Sequence, residues 1–403
     1  MATPATTSTK SFSPYGSKLT FKNLKNFVLT SFIVKQPIMI WGGPGVGKSS
    51  LVEYVQSILN GMLQPEERKY ELIVLSLSQF EFGDLRGIPF VNKEGVMAFS
   101  KAPHLPTDPN SRGIIFIDEL PNARKEVMTA AYQLINDGRI GDYFLPEGWY
   151  VMGAGNRLSD RGATVSIPAP LSNRFTHCEM DTDNLFEDWK DWALSASIDP
   201  SIVGFLSTFP EHLYKFSVES QAFPTPRSWS FLNKYVTQGV VVDEYATSFR
   251  GDGAPKLSDK EIAKRESIIL DTAINGSIGQ AVGNLYITYL NTYKNLPSQE
   301  LILSGQSFNM NDDVSIIYGI GSMLSAYFRK GVVSKHKITN QEATGALNFI
   351  EKVIGFRRKD LAVVFLREFA ISGGFNRIAI DATISTTTKN LFKTRKAELL
   401  SDI

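Results

Sequence analysis

Eight residues constrain the fold of this chain more than any others: Gly42-Gly43-Pro44-Gly45-Val46-Gly47-Lys48-Ser49, which fit the pattern G-x-x-x-x-G-K-[ST]. The pattern carries weight only in the right context. Before it, Gln36-Pro37-Ile38-Met39-Ile40-Trp41 is a short apolar run that reads as a buried parallel strand. After it, Leu51, Val52, Val55, Ile58 and Leu59 recur at helical spacing. Strand, glycine-rich loop and helix is the order that lets backbone N–H groups curl round a polyphosphate without Cβ clashes, with the helix N-terminus adding a favourable dipole. Lys48 is expected to reach the β- and γ-phosphates and Ser49 to coordinate Mg²⁺, and Ser50 closes the candidate loop.

The next apolar run, Ile114–Ile117, ends in Asp118-Glu119. Adjacent carboxylates after an apolar strand are costly unless a cation or a reacting water uses them. Asp118 is placed to hold Mg²⁺, and Glu119 to orient and deprotonate an attacking water. A Glu directly after the Asp favours hydrolysis over phosphate transfer to a small acceptor. No guanine-reading motif follows, since "NKEG" at Asn92 lacks its Asp, so adenine is the expected base. A third strand, "WYVMGAGNR", ends in Asn156, a polar residue at the sheet edge where open α/β sheets bind ligands. Arg174, in "LSNRF", is out of reach of its own phosphate pocket and is a candidate to enter a neighbour's. Arg227 follows Thr225 and Pro226, a good cap and first helical residue. A cation in a first turn opposes the helix dipole, which points to another task, such as gripping the γ-phosphate.

At 403 residues the chain is too long for one ordinary core, and its 43% apolar content argues against disorder. A net charge of +1 writes no strong attraction to nucleic acid or an anionic membrane into the overall balance. The single cysteine, Cys178, excludes an internal disulfide and points to a reducing, cytoplasmic compartment. The four histidines lack metal-ligand spacing, and the His177-Cys178 pair reads as structural. The polar start of the chain lacks a signal-peptide pattern, and no run of 18 apolar residues is present to span a membrane.

Together these motifs resemble the AAA+ ATPases, specifically the MoxR type of the helix-2-insert clade, copies of which also occur in phage genomes. Gly42–Ser49 matches Walker A and Ile114–Glu119 matches Walker B. Asn156 takes the place of sensor 1, Arg174 of the arginine finger and Arg227 of sensor 2. All five are in register over residues 20 to 240. The hairpin-like "FVNKEGVMAF" matches the helix-2 insert, and "INDGRIGDYFLPEGW" the pre-sensor-1 hairpin; in related motors these loops line a pore or touch the client. Two positions depart from the family: "AGNR" ends sensor 1, leaving the role of Arg157 open, and Asn173 stands where Asp is common.

The resemblance implies an α/β fold: an AAA+ P-loop core with a parallel sheet, followed by an α-helical lid and an extra C-terminal helical region. The expected divisions are a flexible tail (1–16), the core (17–182), the lid (183–296) and the extension (297–403). It further implies ATP and Mg²⁺ as cofactors, and a ring oligomer, commonly of six subunits. The work would be remodelling of a client protein, often with a von Willebrand A-domain partner. Two other readings stay open: a nucleic-acid machine, for which Arg357, Arg358 and Lys359 offer a basic patch, and an ATP-dependent assembly switch with slow turnover. In finer detail, Leu185, Phe186, Trp189 and Trp192 are expected on one helix stripe. Trp229, Phe231, Leu232 and Tyr235 are expected on another. Residues 260–293 read as one helical run, and 296–312 as a connector.

Overall fold

Short apolar runs supply the strands, in chain order. Strands β1 (Phe12–Ser13) and β2 (Gly16–Leu19) form a hairpin. Then come β3 (Ile38–Trp41), β4 (Glu71–Ser76), β5 (Pro89–Val91), β6 (Met97–Phe99) and β7 (Arg112–Asp118). The series ends with β8 (Arg139–Ile140), β9 (Tyr143–Phe144), β10 (Gly148–Gly155) and β11 (Thr176–Met180). The computed structural model describes residues 12–100, 102–160, 166–239, 259–333, 337–371, 378 and 384–400. The chain groups into two compact units, Met1–Asp188 and Trp189–Ile403.

The first unit is built on a seven-stranded sheet of order β1-β2-β11-β3-β10-β7-β4. Every neighbouring pair is parallel except β1 with β2. The middle of the sheet is buried on both faces, which is why Ile38–Ile40 and Ile114–Ile117 read as unbroken apolar runs and are 0% exposed. Strand register gathers the polar strand ends. Trp41 lies beside Gly155 and Glu179, and Asp118 beside Ser76, so the ends of these strands meet at one carboxyl edge. Thr176 pairs with Ile38 at the opposite, amino edge.

Helices α1 (Phe21–Ile33), α2 (Lys48–Gly61), α3 (Phe82–Arg86), α4 (Lys125–Asp137) and α5 (Ala169–Ser172) accompany the sheet, and α6 (Leu185–Ser195) runs across the boundary between the two units. Helix α2 buries Leu51, Val52 and Val55, the inward part of the expected stripe. Of the tail expected over 1–16, residues 12–16 belong instead to the β1–β2 hairpin, where main-chain pairing replaces apolar patterning as the ordering force, and 1–11 lie outside the described residues. In α6, Leu185, Trp189 and Ala193 turn inward at a four-residue spacing, while Trp192 is 45% exposed, against expectation.

The second unit is helical. Helix α7 (Pro200–Thr208) starts where Asp199 accepts from the Ser201 N–H. Helix α8 (Pro226–Gln238) starts with a reciprocal Thr225–Ser228 capping box. It buries Trp229 and Leu232 but leaves Phe231 and Tyr235 about half exposed, correcting the four-residue stripe: Phe231 lies about 200° round the helix from Trp229. The run read as one helix is two, α9 (Asp259–Ile278) and α10 (Gln280–Tyr293), broken at Gly279 with φ 81°. A Cβ at Gly279 would stand 2.6 Å from the Ala222 carbonyl oxygen. The expected connector holds a short helix, α11 (Gln299–Leu303), capped by Ser298. Helices α12 (Val314–Val333), α13 (Asn340–Gly355), α14 (Lys359–Ile371) and α15 (Thr386–Leu400) follow. They bury an aromatic core of Phe328, Phe349, Phe365, Phe369 and Phe392. The Gly- and Pro-containing stretch 248–259, which reads as a loop in the sequence, lies outside the described residues but for Asp259, the first residue of α9. No helix among the described residues is long and apolar enough to cross a membrane.

Candidate nucleotide-binding site

Between β3 and α2 the loop turns through two left-handed glycines, Gly45 (φ 71°) and Gly47 (φ 109°), a backbone that L side chains rarely adopt. Gly47 is the cap of α2, so the first N–H groups of a 14-residue helix face the loop. Lys48 is buried and its ammonium group is held inside the loop. It donates to the carbonyls of Gly42 (2.7 Å) and Gly43 (3.0 Å) and to Asn156 Oδ1 (2.8 Å). The Ser49 hydroxyl donates to Asp118 Oδ2 at 3.0 Å. The structure therefore gathers Lys48, Ser49, Asp118 and Asn156, from three strand ends, at one carboxyl edge.

Asp118 Oδ1 accepts the Glu119 N–H at 2.9 Å. Glu119 itself adopts φ 53°, a left-handed conformation that costs a non-glycine residue roughly 1 kcal/mol or more and marks functional positions. Its carboxylate accepts from the Ser78 hydroxyl at 3.0 Å. Ser78 was not singled out by sequence; its only signal is its place just beyond β4, the strand paired with β7. The turn after Glu119 packs closely on β10, where a Cβ at Gly155 would lie 2.5 Å from the Pro121 ring.

Arg157, whose role the sequence left open, does not point to the loop. Its guanidinium donates to both oxygens of Asp160 (2.9–3.3 Å) and to Glu179 Oε1 (2.6 Å). Burial pulls the guanidinium pKa down, but the hydrogen bonds and charges of these two carboxylates outweigh it and hold the group above its ordinary value. The network pins the chain just after Asn156, and the Tyr15 hydroxyl accepts the Leu158 N–H at 2.9 Å.

Arg174 lies apart from this cluster. It precedes β11 at the amino edge of the sheet, a strand length or about 10 Å from the loop end of β3. It is exposed, its Nη2 donates to the Tyr132 hydroxyl at 3.0 Å, and its guanidinium stands 5.6 Å from the Tyr132 ring centre. Arg227 belongs to the second unit, exposed in the first turn of α8.

Both inserted hairpins are formed. In β5–β6 the Asn92 side chain accepts from Glu94 and Val96 N–H, and Phe90, Val91, Val96 and Met97 are 49–69% exposed. In β8–β9, Phe144 is 68% exposed. Cys178 is buried and its thiol is pushed up to about 12 by burial, in keeping with a structural role. Among the described residues no group of three or more His, Cys, Asp or Glu could hold a metal ion.

Residues 37–175 match the sequence model of the AAA domain, dynein-related subfamily. The first unit has the AAA+ P-loop fold. Solved structures similar to the chain include the Thermotoga maritima RuvB Holliday junction branch migration motor, 13% identical over 88% of this chain and 87% of that one, with a TM-score of 0.30. NtrX from Brucella abortus in complex with ADP is 14% identical over 67% of this chain and 64% of that one, with a TM-score of 0.32. Likenesses of that size say nothing about activity. No curated protein sequence matches the chain.

Proposed function

We propose that this AAA+ chain hydrolyses ATP in a ring, commonly of six subunits in the MoxR type it resembles. It would use the energy to remodel a client protein, with a von Willebrand A-domain protein as a candidate partner. One observation carries the reading: Lys48, Ser49, Asp118, Glu119 and Asn156 converge at one sheet edge, while Arg174 stands exposed at the other. Phosphate-, metal- and water-handling groups gathered without a finger, and a finger without a pocket, describe two halves of a shared site.

In this mechanism the N–H groups of Gly43 and Gly45–Ser50 and the ammonium of Lys48 bind the β- and γ-phosphates. The Ser49 hydroxyl and Asp118 carboxylate are hard oxygen donors of the kind Mg²⁺ takes alongside phosphate and water oxygens. Bound there, Mg²⁺ would offset charge on the phosphates. Glu119 leaves Ser78, orients a water and takes its proton. The water oxygen bonds to the γ-phosphorus as the bond to the β–γ bridging oxygen breaks, and ADP departs with that electron pair. Asn156 and the neighbour's Arg174 hold the γ-phosphoryl oxygens, and Arg227 is the proposed sensor-2 group. Residues 183–296 are assigned as the lid and 297–403 as its extension. The exposed apolar hairpins favour a protein client. In the proposed basic patch, Arg358 is already paired with Asp360, which favours the nucleic-acid reading less.

The test is a set of three variants. Glu119→Gln is expected to bind ATP and lower kcat about 100-fold or more, trapping the oligomer. Lys48→Ala is expected to lose ATP binding. Arg174→Ala is expected to bind ATP yet fail to complete a neighbour's site. Ordinary turnover by Glu119→Gln, or by Arg174→Ala, would refute the corresponding role.

A further inference from the structure

We infer that His177 is a positioning residue that ties the nucleotide loop of one subunit to the finger it offers the next. The inference rests on the trans assignment of Arg174 above. The Trp41 indole N–H donates to His177 Nδ1 at 2.9 Å. An indole nitrogen can only donate, so Nδ1 accepts and the imidazole proton sits on Nε2. That nitrogen lies 2.8 Å from the Ser172 carbonyl oxygen and 3.2 Å from its hydroxyl. The same carbonyl accepts the Phe175 N–H at 3.2 Å, closing the turn that carries Arg174.

Both ends of this bridge are placed by secondary structure. Trp41 is the last residue of β3 and directly precedes Gly42, whose carbonyl holds Lys48. Ser172 is the last residue of α5, two before Arg174. His177 lies on β11 between them, with its ring stacked on Trp41 at 6.0 Å. A shift of Trp41 with the loop reaches the finger turn through two hydrogen bonds, and a ring with one proton cannot exchange its two partners. Neither ring nitrogen is left for solvent or a metal, which gives the His177 side chain a purpose beyond filling the core.

The experiment uses complementation between two inactive subunits. Lys48→Ala offers a finger but binds no ATP, and Arg174→Ala binds ATP but offers no finger. An equal mixture recovers activity at sites where the two meet. Trp41→Phe keeps the ring and loses the N–H; His177→Asn keeps an acceptor and loses the reach to Ser172. Either change in the finger-donating subunit is expected to lower the recovered kcat about tenfold, because small displacements of a catalytic group are costly. The same change in the pocket-donating subunit is expected to leave it within about twofold, with ATP affinity kept. Equal losses from both positions, or no loss from the finger side, overturn the bridge. If the parent mixture stays inactive while the unmodified oligomer hydrolyses ATP, the trans assignment of Arg174 is what has failed, and the inference falls with it. Should His177→Asn not fold, Trp41→Phe tests the same bridge from its other end, with the same outcomes for and against.

Discussion

Glu119 combines a left-handed backbone with a carboxylate held by Ser78, so its resting position is set by a contact that the proposed hydrolysis would have to break. Removing that hydroxyl frees the Glu119 carboxylate. Ser78→Ala is expected to raise basal ATP turnover about two- to fivefold, roughly the worth of one hydrogen bond, as read by steady-state phosphate release. A fall in turnover would mean instead that Ser78 holds Glu119 in its working pose. Tyr132 holds Arg174 by its hydroxyl and its ring face. The thiol of Cys178 offers a readout of folding. With its pKa raised to about 12, it is protonated throughout the neutral range, and burial bars reagents from it. Native protein is expected to show no thiol reactive to a disulfide reagent at pH 8, and denatured protein one; rapid native labelling would contradict the burial. At this scale the sequence was informative where chemistry is local. Lys48, Ser49 and Asp118 announce themselves by type and spacing. Arg157 did not, because one of its partners, Glu179, is 22 residues away and only strand order brings it near.

Among the elements, helix starts were easier to read than helix faces. The caps at Asp199 and Thr225 depend on residues within three positions, and the one at Thr225 is found where expected. Thr225→Ala is expected to destabilise the second unit by about 1 kcal/mol in thermal or urea unfolding. Faces depend on what covers them, and a helical wheel holds no information about the neighbour. Hence Trp192, Phe231 and Tyr235 were assigned inward and stand outward. The break at Gly279 was likewise invisible, since glycine within a helical pattern is tolerated. The break follows from the Ala222 carbonyl, which leaves no room for a side chain. The β5–β6 hairpin poses a functional question at this scale. Its Phe90 and Met97 are exposed and contribute none of the groups gathered at the loop. The paired substitution to serine is expected to leave basal turnover unchanged and to abolish any client-dependent stimulation. Unchanged stimulation would remove the hairpin from client contact.

For the whole molecule, the decisive feature is the separation of Arg174 from the phosphate loop by the length of a strand. If Arg174 is the finger proposed above, a chain that cannot serve its own pocket needs a neighbour for activity. The particle mass measured by light scattering is therefore expected to rise on adding ATP, and to stay raised in Glu119→Gln. A protein that remains one chain at every nucleotide concentration while hydrolysing ATP would refute the shared site.

The sequence alone determined the phosphate loop, the paired carboxylates and the alternation of strands and helices, because each follows from neighbours a few residues apart. Only the tertiary structure decided that Ser78 restrains Glu119, that Arg157 serves the scaffold, and that His177 joins Trp41 to the turn carrying Arg174. Each depends on a contact between segments distant along the chain: Ser78 with Glu119 and Trp41 with His177 across adjacent strands, and Arg157 with Glu179 across the width of β3. No local pattern encodes them; parallel pairing in the order β11-β3-β10-β7-β4 creates them.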